Sequence, residues 1–156
     1  MDFKIKRILQ LNYNLTPDKI ISQQDGWAAL AYKITSKKGS FFLKVYEKKR
    51  SSTKDLTDAI DKYVPVLLEI IGNDALAERM PRPLLTIENT YKWEDESAYY
   101  ILYQYIDGET IGNQKLRQSE IAQYAETIAK LHQIKDVKNS HRLVEETFEI
   151  SFALEP

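Results

Sequence analysis

The sequence predicts an α+β fold: a five-stranded antiparallel sheet with one inserted helix, and one or more helices after its last strand. Three observations predict it. Short apolar segments such as FFLKVYE and SAYYILYQYI are bounded by turn residues, as strands are. Residues 51–73 carry apolar side chains every three or four positions, the spacing of one helix face. Residues 119–134, SEIAQYAETIAKLHQI, repeat that spacing near the end of the chain.

The elements follow in order. Residues 3–12 place Phe3, Ile5, Ile8 and Leu9 on one stripe, which predicts a short helix. Thr16-Pro17-Asp18 is a turn signal, and KIISQQ after it reads as a strand. DGWAALAYKITSKKGSFFLKVYE reads as two strands joined through Ser36-Lys37-Lys38-Gly39, where Gly39 accepts a positive φ. In the next segment Leu56, Ile60, Tyr63, Leu67 and Ile71 share a helix face, with Ser52 or Thr53 placed to cap it and Gly72-Asn73 to end it. Pro65 predicts a kink or a restart there, because proline has no N–H to donate. Pro81 and Pro83 lead into a strand, PLLTIE, and Glu94-Asp95-Glu96 forms a polar turn. SAYYILYQYI is apolar on both faces, which predicts a central strand ending at Asp107-Gly108. In the last helix Ser119 is the predicted cap, with Ile121, Ala125, Ile128, Ala129 and Leu131 along one side.

Composition narrows the function classes. Twenty-two basic and 23 acidic residues are interspersed, so the net charge of −1 offers no surface for nucleic acid. Cysteine is absent, which excludes disulfides, zinc–thiolate sites and cysteine nucleophiles and suits a reducing cytoplasm. No apolar run approaches the roughly 18 residues of a membrane helix. The ten tyrosines suit half-buried strands and pockets with one wet end.

The most informative residue is Lys44, in FFLKVYE. Alternation puts Phe41, Leu43 and Val45 on one face and Phe42, Lys44 and Tyr46 on the other. Both faces are apolar except at Lys44. Its ammonium must meet an anion or reach water, because an unpaired buried charge costs several kcal/mol. A carboxylate from the following helix and the phosphates of a ligand are two such anions; a solvated lysine snorkelling past Tyr46 is the alternative. The loop QQDGWAALAYK has small residues at Gly26, Ala28 and Ala29 that would let backbone N–H groups approach a phosphate, or it is an ordinary hairpin turn. LYQYIDGE ends a strand in Asp-Gly, leaving backbone groups exposed where pairing stops.

In order and spacing, DGWAALAYKI, FFLKVY, LYQYIDGETI and the helix ending AKLHQI resemble the aminoglycoside phosphotransferase family, whose fold is protein-kinase-like. The resemblance runs from about Ile20 to His132. It implies a nucleotide-binding lobe over residues 1–107, then a hinge and the start of a helical lobe over 108–156. It implies that Lys44 holds the nucleotide phosphates, with Asp61 as carboxylate partner and Asp58 next in line. Phe42 would stack on adenine and Tyr103 would back the pocket. The Gln104 carbonyl and the Ile106 N–H would bond the adenine edge. Gln24 to Ala29, with Gly26 and Ala28, would cover the phosphates. His132 would be structural. The implied cofactor is ATP or GTP with Mg2+.

The family's His-x-Asp…Asn segment and later Asp-rich segment have no match. His141 is followed by Arg142 and Leu143. The expectation is therefore a truncated chain without catalytic base or metal ligands, inactive alone and prone to self-association through the 119–134 helix. The whole protein would phosphorylate a hydroxyl of a small molecule, such as an aminoglycoside or spectinomycin-like antibiotic; choline, homoserine and sugars are rival acceptors. A non-catalytic nucleotide-binding or interaction module, and an unrelated α+β domain, are the alternatives.

Overall fold

The computed structural model describes residues 2–23, 29–50, 56–72, 76–77, 79–108, 114–138 and 140–142. The chain runs α1 (Asp2–Tyr13), β1 (Pro17–Gln23), β2 (Leu30–Ser36), β3 (Gly39–Glu47), α2 (Ile60–Ile71), β4 (Trp93–Glu94), β5 (Ala98–Gln104) and α3 (Gln118–Gln133). A short 3-10 turn follows at Ser140–Arg142. The five strands form one antiparallel sheet in the order β1-β2-β3-β5-β4. The α+β fold class is as expected.

Period-two alternation gives each strand two sides, and a different helix covers each. On the first side Ile5, Ile8 and Leu9 of α1 pack with Tyr32, Ile34, Leu43, Val45, Tyr100 and Leu102. On the second, Ile60 and Val64 of α2 pack with Tyr46, Ile101 and Tyr103. β5 is therefore buried on both faces, as its sequence predicts.

The β2–β3 turn uses Gly39 at φ 118°, a backbone region that a Cβ would strain. Ser36 Oγ accepts from the Lys38 N–H at 3.1 Å and donates to the Gly39 carbonyl at 3.2 Å, locking the turn.

Several expectations need correction. Phe3 is 82% exposed; it lies about 200° round the helix from Ile5 and so points away from the sheet. PLLTIE does not form a strand. It touches β5 through a bridge at Pro83, with the Leu84 N–H bonded to the Leu102 carbonyl and the Gln104 N–H to the Arg82 carbonyl, each at 2.8 Å. Pro81 and Pro83 have no N–H for a continuous ladder. The fifth strand is instead Trp93–Glu94, on the threshold of the predicted turn. The strand predicted to run to Ile106 ends at Gln104.

The helix after β3 has a helical turn at 56–58, Ala59 keeps a helical backbone at φ −82° and ψ −15°, and α2 then runs from Ile60 through Pro65 to Ile71. No restart occurs at Pro65, which lies inside the helix. Ser52, Thr53 and Asn73 lie outside the described residues. Ser119 does not cap α3. That position is Arg117, whose backbone N–H donates to Glu120 at 2.7 Å and whose guanidinium grips the same carboxylate. Among the described residues no helix is long and apolar enough to cross a membrane.

One polar knot joins α1 to the β4–β5 turn. Asp95 accepts from the Ser97 N–H and Oγ, the Ala98 N–H, the Tyr100 hydroxyl and Lys4 Nζ, at 2.7 to 3.2 Å. Burial alone would raise its pKa, but the Lys4 ammonium and the hydrogen-bond donors outweigh that and hold the carboxyl well below the usual range. The folded state therefore binds fewer protons here than the unfolded chain does. The stabilisation is present above the unfolded carboxylate pKa of about 3.9 and is lost as pH falls through the lower folded value. Asp95→Asn is expected to lower the melting temperature at pH 7, and the gap to wild type should narrow as pH is taken below 4. A gap independent of pH would show that the charge contributes nothing.

Candidate functional site

Lys44 sits in the middle of β3, and backbone register decides its neighbours. It lies opposite Ala31 on β2 and Ile101 on β5. Two residues earlier, Phe42 lies opposite Lys33 and Tyr103. These residues share the α2 side of the sheet, as alternation in FFLKVY predicts. Ala31 is small and 5% exposed, so the surface beside the half-buried Lys44 is shallow. Phe42 packs against the cluster formed by Tyr46, Ile101 and Tyr103.

Lys44 Nζ lies 5.8 Å from the centroid of the Tyr103 ring. Among the described residues it forms no ion pair. The expected partner, Asp61, is engaged elsewhere: its Oδ2 bonds Lys92 Nζ at 2.5 Å, and its side chain is 63% exposed. The cause is the rotation of α2 about its own axis. Ile60 and Val64 are fully buried against the sheet, and the residue after Ile60 is carried about 100° round, toward the β4 edge. Asp58 is likewise exposed.

Tyr103 is buried, 5% exposed. Burial, reinforced by the neighbouring Tyr63 and Tyr46 phenols, pushes its hydroxyl far above the ordinary tyrosine range, so it stays neutral. The Tyr46 hydroxyl is pushed up to about 12, again chiefly by burial.

At the end of β5 the Gln104 N–H is bonded to the Arg82 carbonyl and the Tyr105 N–H to the Ser40 carbonyl. Ile106 follows beyond the strand and is 47% exposed. A concavity of about 460 Å3 borders this segment, lined among others by Lys33, Ser40, Gln104, Tyr105 and Asp107. It does not extend to Lys44. A larger one of about 830 Å3 lies on the outer side of α2, by Asp61, Lys92 and Trp93.

Gly26 and Ala28 lie outside the described residues; Ala29, just before β2, is buried. His132 is exposed rather than set in an apolar face, and the exposed His141 ring approaches the Lys138 carbonyl at 3.0 Å. Among the described residues, no three His, Asp or Glu side chains are grouped to hold a metal ion.

Lys33 is a further cation at this site. Its ammonium lies 3.9 Å from the centroid of the Tyr105 ring, on the same side as Phe42. The β2–β3 register counted from the Gly39 turn places it opposite Phe42.

The sequence model of the phosphotransferase enzyme family matches residues 20–151. No curated protein matches by sequence. Among solved structures the chain is similar to spectinomycin phosphotransferase APH(9)-Ia in complex with ADP and spectinomycin, with TM-score 0.65 and 16% identity over 92% of this chain and 41% of that one. The AMP-bound complex of the same enzyme gives TM-score 0.61 and 15% identity over 91% and 40%. A protein described as a fructosamine-3-kinase from Haemophilus somnus 129PT gives 0.55 and 16% over 85% and 39%. The chain thus spans about two fifths of the length of the structures it matches.

Proposed function

The chain belongs to the phosphotransferase enzyme family, and on that premise we propose that it forms the nucleotide-binding part of an enzyme that transfers the γ-phosphate of ATP or GTP to a hydroxyl of a small molecule. The observation that carries this reading is Lys44, a half-buried cation in the middle of β3, beside Phe42 and without a carboxylate partner among the described residues. Such a cation is suited to phosphate oxygens. In this reading residues 1–107 are the nucleotide lobe and 108–156 begin a helical lobe. Phe42 stacks on adenine, Tyr103 backs its pocket, and the Gln104 carbonyl and Ile106 N–H meet its edge. Gly26 and Ala28 belong to the segment over the phosphates.

Phosphoryl transfer is accelerated mainly by positioning and charge neutralisation. Mg2+ would neutralise phosphate charge when bound. The chain's own part is to hold and orient the nucleotide. The sequence has no His-x-Asp…Asn segment, so we expect this polypeptide alone to bind nucleotide weakly and transfer nothing. An aminoglycoside or spectinomycin-like antibiotic is the acceptor favoured by the fold likeness, and a cytoplasmic location suits ATP chemistry. Titration calorimetry with ADP tests the reading: weak saturable binding is expected, whereas no heat at millimolar nucleotide would sink it. Turnover in a phosphotransfer assay would refute the expected inactivity.

α3 carries a related expectation. None of its 16 residues is buried, and Ile121 and Tyr124 are 45% and 67% exposed. A helix normally buries one stripe. Light scattering should show association rising with concentration, relieved by Ile121→Ser with Tyr124→Ser. A monomer throughout would disprove it.

A further inference from the structure

The lysines on the α2 side of the sheet share a pattern. Lys44 Nζ lies 5.8 Å from the Tyr103 ring centroid, Lys48 Nζ lies 4.6 Å from that of Tyr99, and Lys33 Nζ lies 3.9 Å from that of Tyr105. The three tyrosines stand at alternate positions of β5 and its extension. The Lys44 and Lys48 contacts follow one diagonal rule: Tyr103 pairs in register with Phe42, two before Lys44, and Tyr99 with Tyr46, two before Lys48. Diagonal cross-strand neighbours are within reach of long and aromatic side chains. An ammonium over a ring face is held by the ring quadrupole when it lies within about 6 Å of the centroid.

Lys48 also has a carboxylate, Glu94, at 2.6 Å. Lys44 has none among the described residues, and the α2 carboxylate expected there is tied to Lys92 on the outside. What α2 presents on the sheet side is apolar and phenolic: Ile60, Val64 and Tyr63, packed with Tyr103.

We propose that Tyr103 is the positioning residue of Lys44, its ring face standing where a carboxylate from α2 was expected. This rests on the reading of Lys44 as the phosphate grip. The chemical consequence is specific. A carboxylate would orient the ammonium and cancel its charge, while a neutral ring orients it and leaves the charge intact for an incoming polyanion. Tyr103 can do so because packing against α2 fixes the plane of its ring.

The test is NMR of the full chain labelled at the lysine side chains, with Lys44→Arg assigning the Lys44 signal. Its ε-methylene resonance is expected upfield of the other lysines through the ring current. Tyr103→Phe should keep that shift and Tyr103→Leu should abolish it, while Asp61→Asn should leave it unchanged. An unshifted Lys44 signal in the wild type overturns the proposal without any variant needing to fold, as does a shift removed by Asp61→Asn or by Tyr103→Phe. Adding ADP separates the two layers: a Lys44 signal that keeps its ring-current shift but ignores ADP refutes the phosphate role and leaves the Tyr103 placement standing.

Discussion

Lys44→Ala is expected to weaken ADP binding by roughly 10- to 150-fold, from the roughly 1.5–3 kcal/mol that a charge-assisted hydrogen bond contributes. With an affinity already weak, that loss should place binding beyond detection by calorimetry. The fold should survive. Lys44 is held in β3 by register with Ala31 and Ile101, and its side chain makes no ion pair among the described residues whose loss would strand a buried charge. Lys19→Ala, on an exposed position of the edge strand β1, is the control for a general loss of positive charge. Equal binding by Lys44→Ala and wild type would show that the lysine faces water for no purpose. It would take the nucleotide reading with it.

Leu43→Ala, one residue away, should have a different and larger effect on stability. Leu43 is fully buried on the opposite side of β3, among Ile34, Val45, Leu102 and the α1 residues. Truncation there removes buried methyl groups and leaves a cavity that neighbouring strands cannot close, at a cost of roughly 2–5 kcal/mol. Against a domain stability of about 5–15 kcal/mol this is a large fraction. Urea denaturation should show a lower midpoint with an unchanged slope. A loss under about 1 kcal/mol would mean that α1 and the sheet do not form the tight layer described. The pair of substitutions separates the two sides of one strand: loss of nucleotide binding is expected from one side, loss of stability from the other.

Local physics made much of this legible from sequence. Alternation is a property of a single strand, so FFLKVY alone places Phe42 and Lys44 on one face and Leu43 on the other. The Gly39 turn, the helix around Ile60 and Ile71, and the doubly apolar β5 are local in the same sense. Choices that depend on a competing partner were not legible. PLLTIE has strand composition, but its prolines lose the ladder that Trp93–Glu94 keeps. Phe3 fits an apolar stripe until α1 is seated on the sheet by Ile5, Ile8 and Leu9.

The sequence by itself determined that Lys44 shares a strand face with the aromatic Phe42, because a two-residue period leaves it no other place. Only the tertiary structure decided what that lysine leans on. The answer turns on how α2 is rotated about its axis, and that rotation is set by burying Ile60 and Val64 against β5 and β3. Seating those two side chains sends Asp61 outward to Lys92 and leaves the Tyr103 ring beside Lys44. One helical step of about 100° separates the buried Ile60 from the outward Asp61.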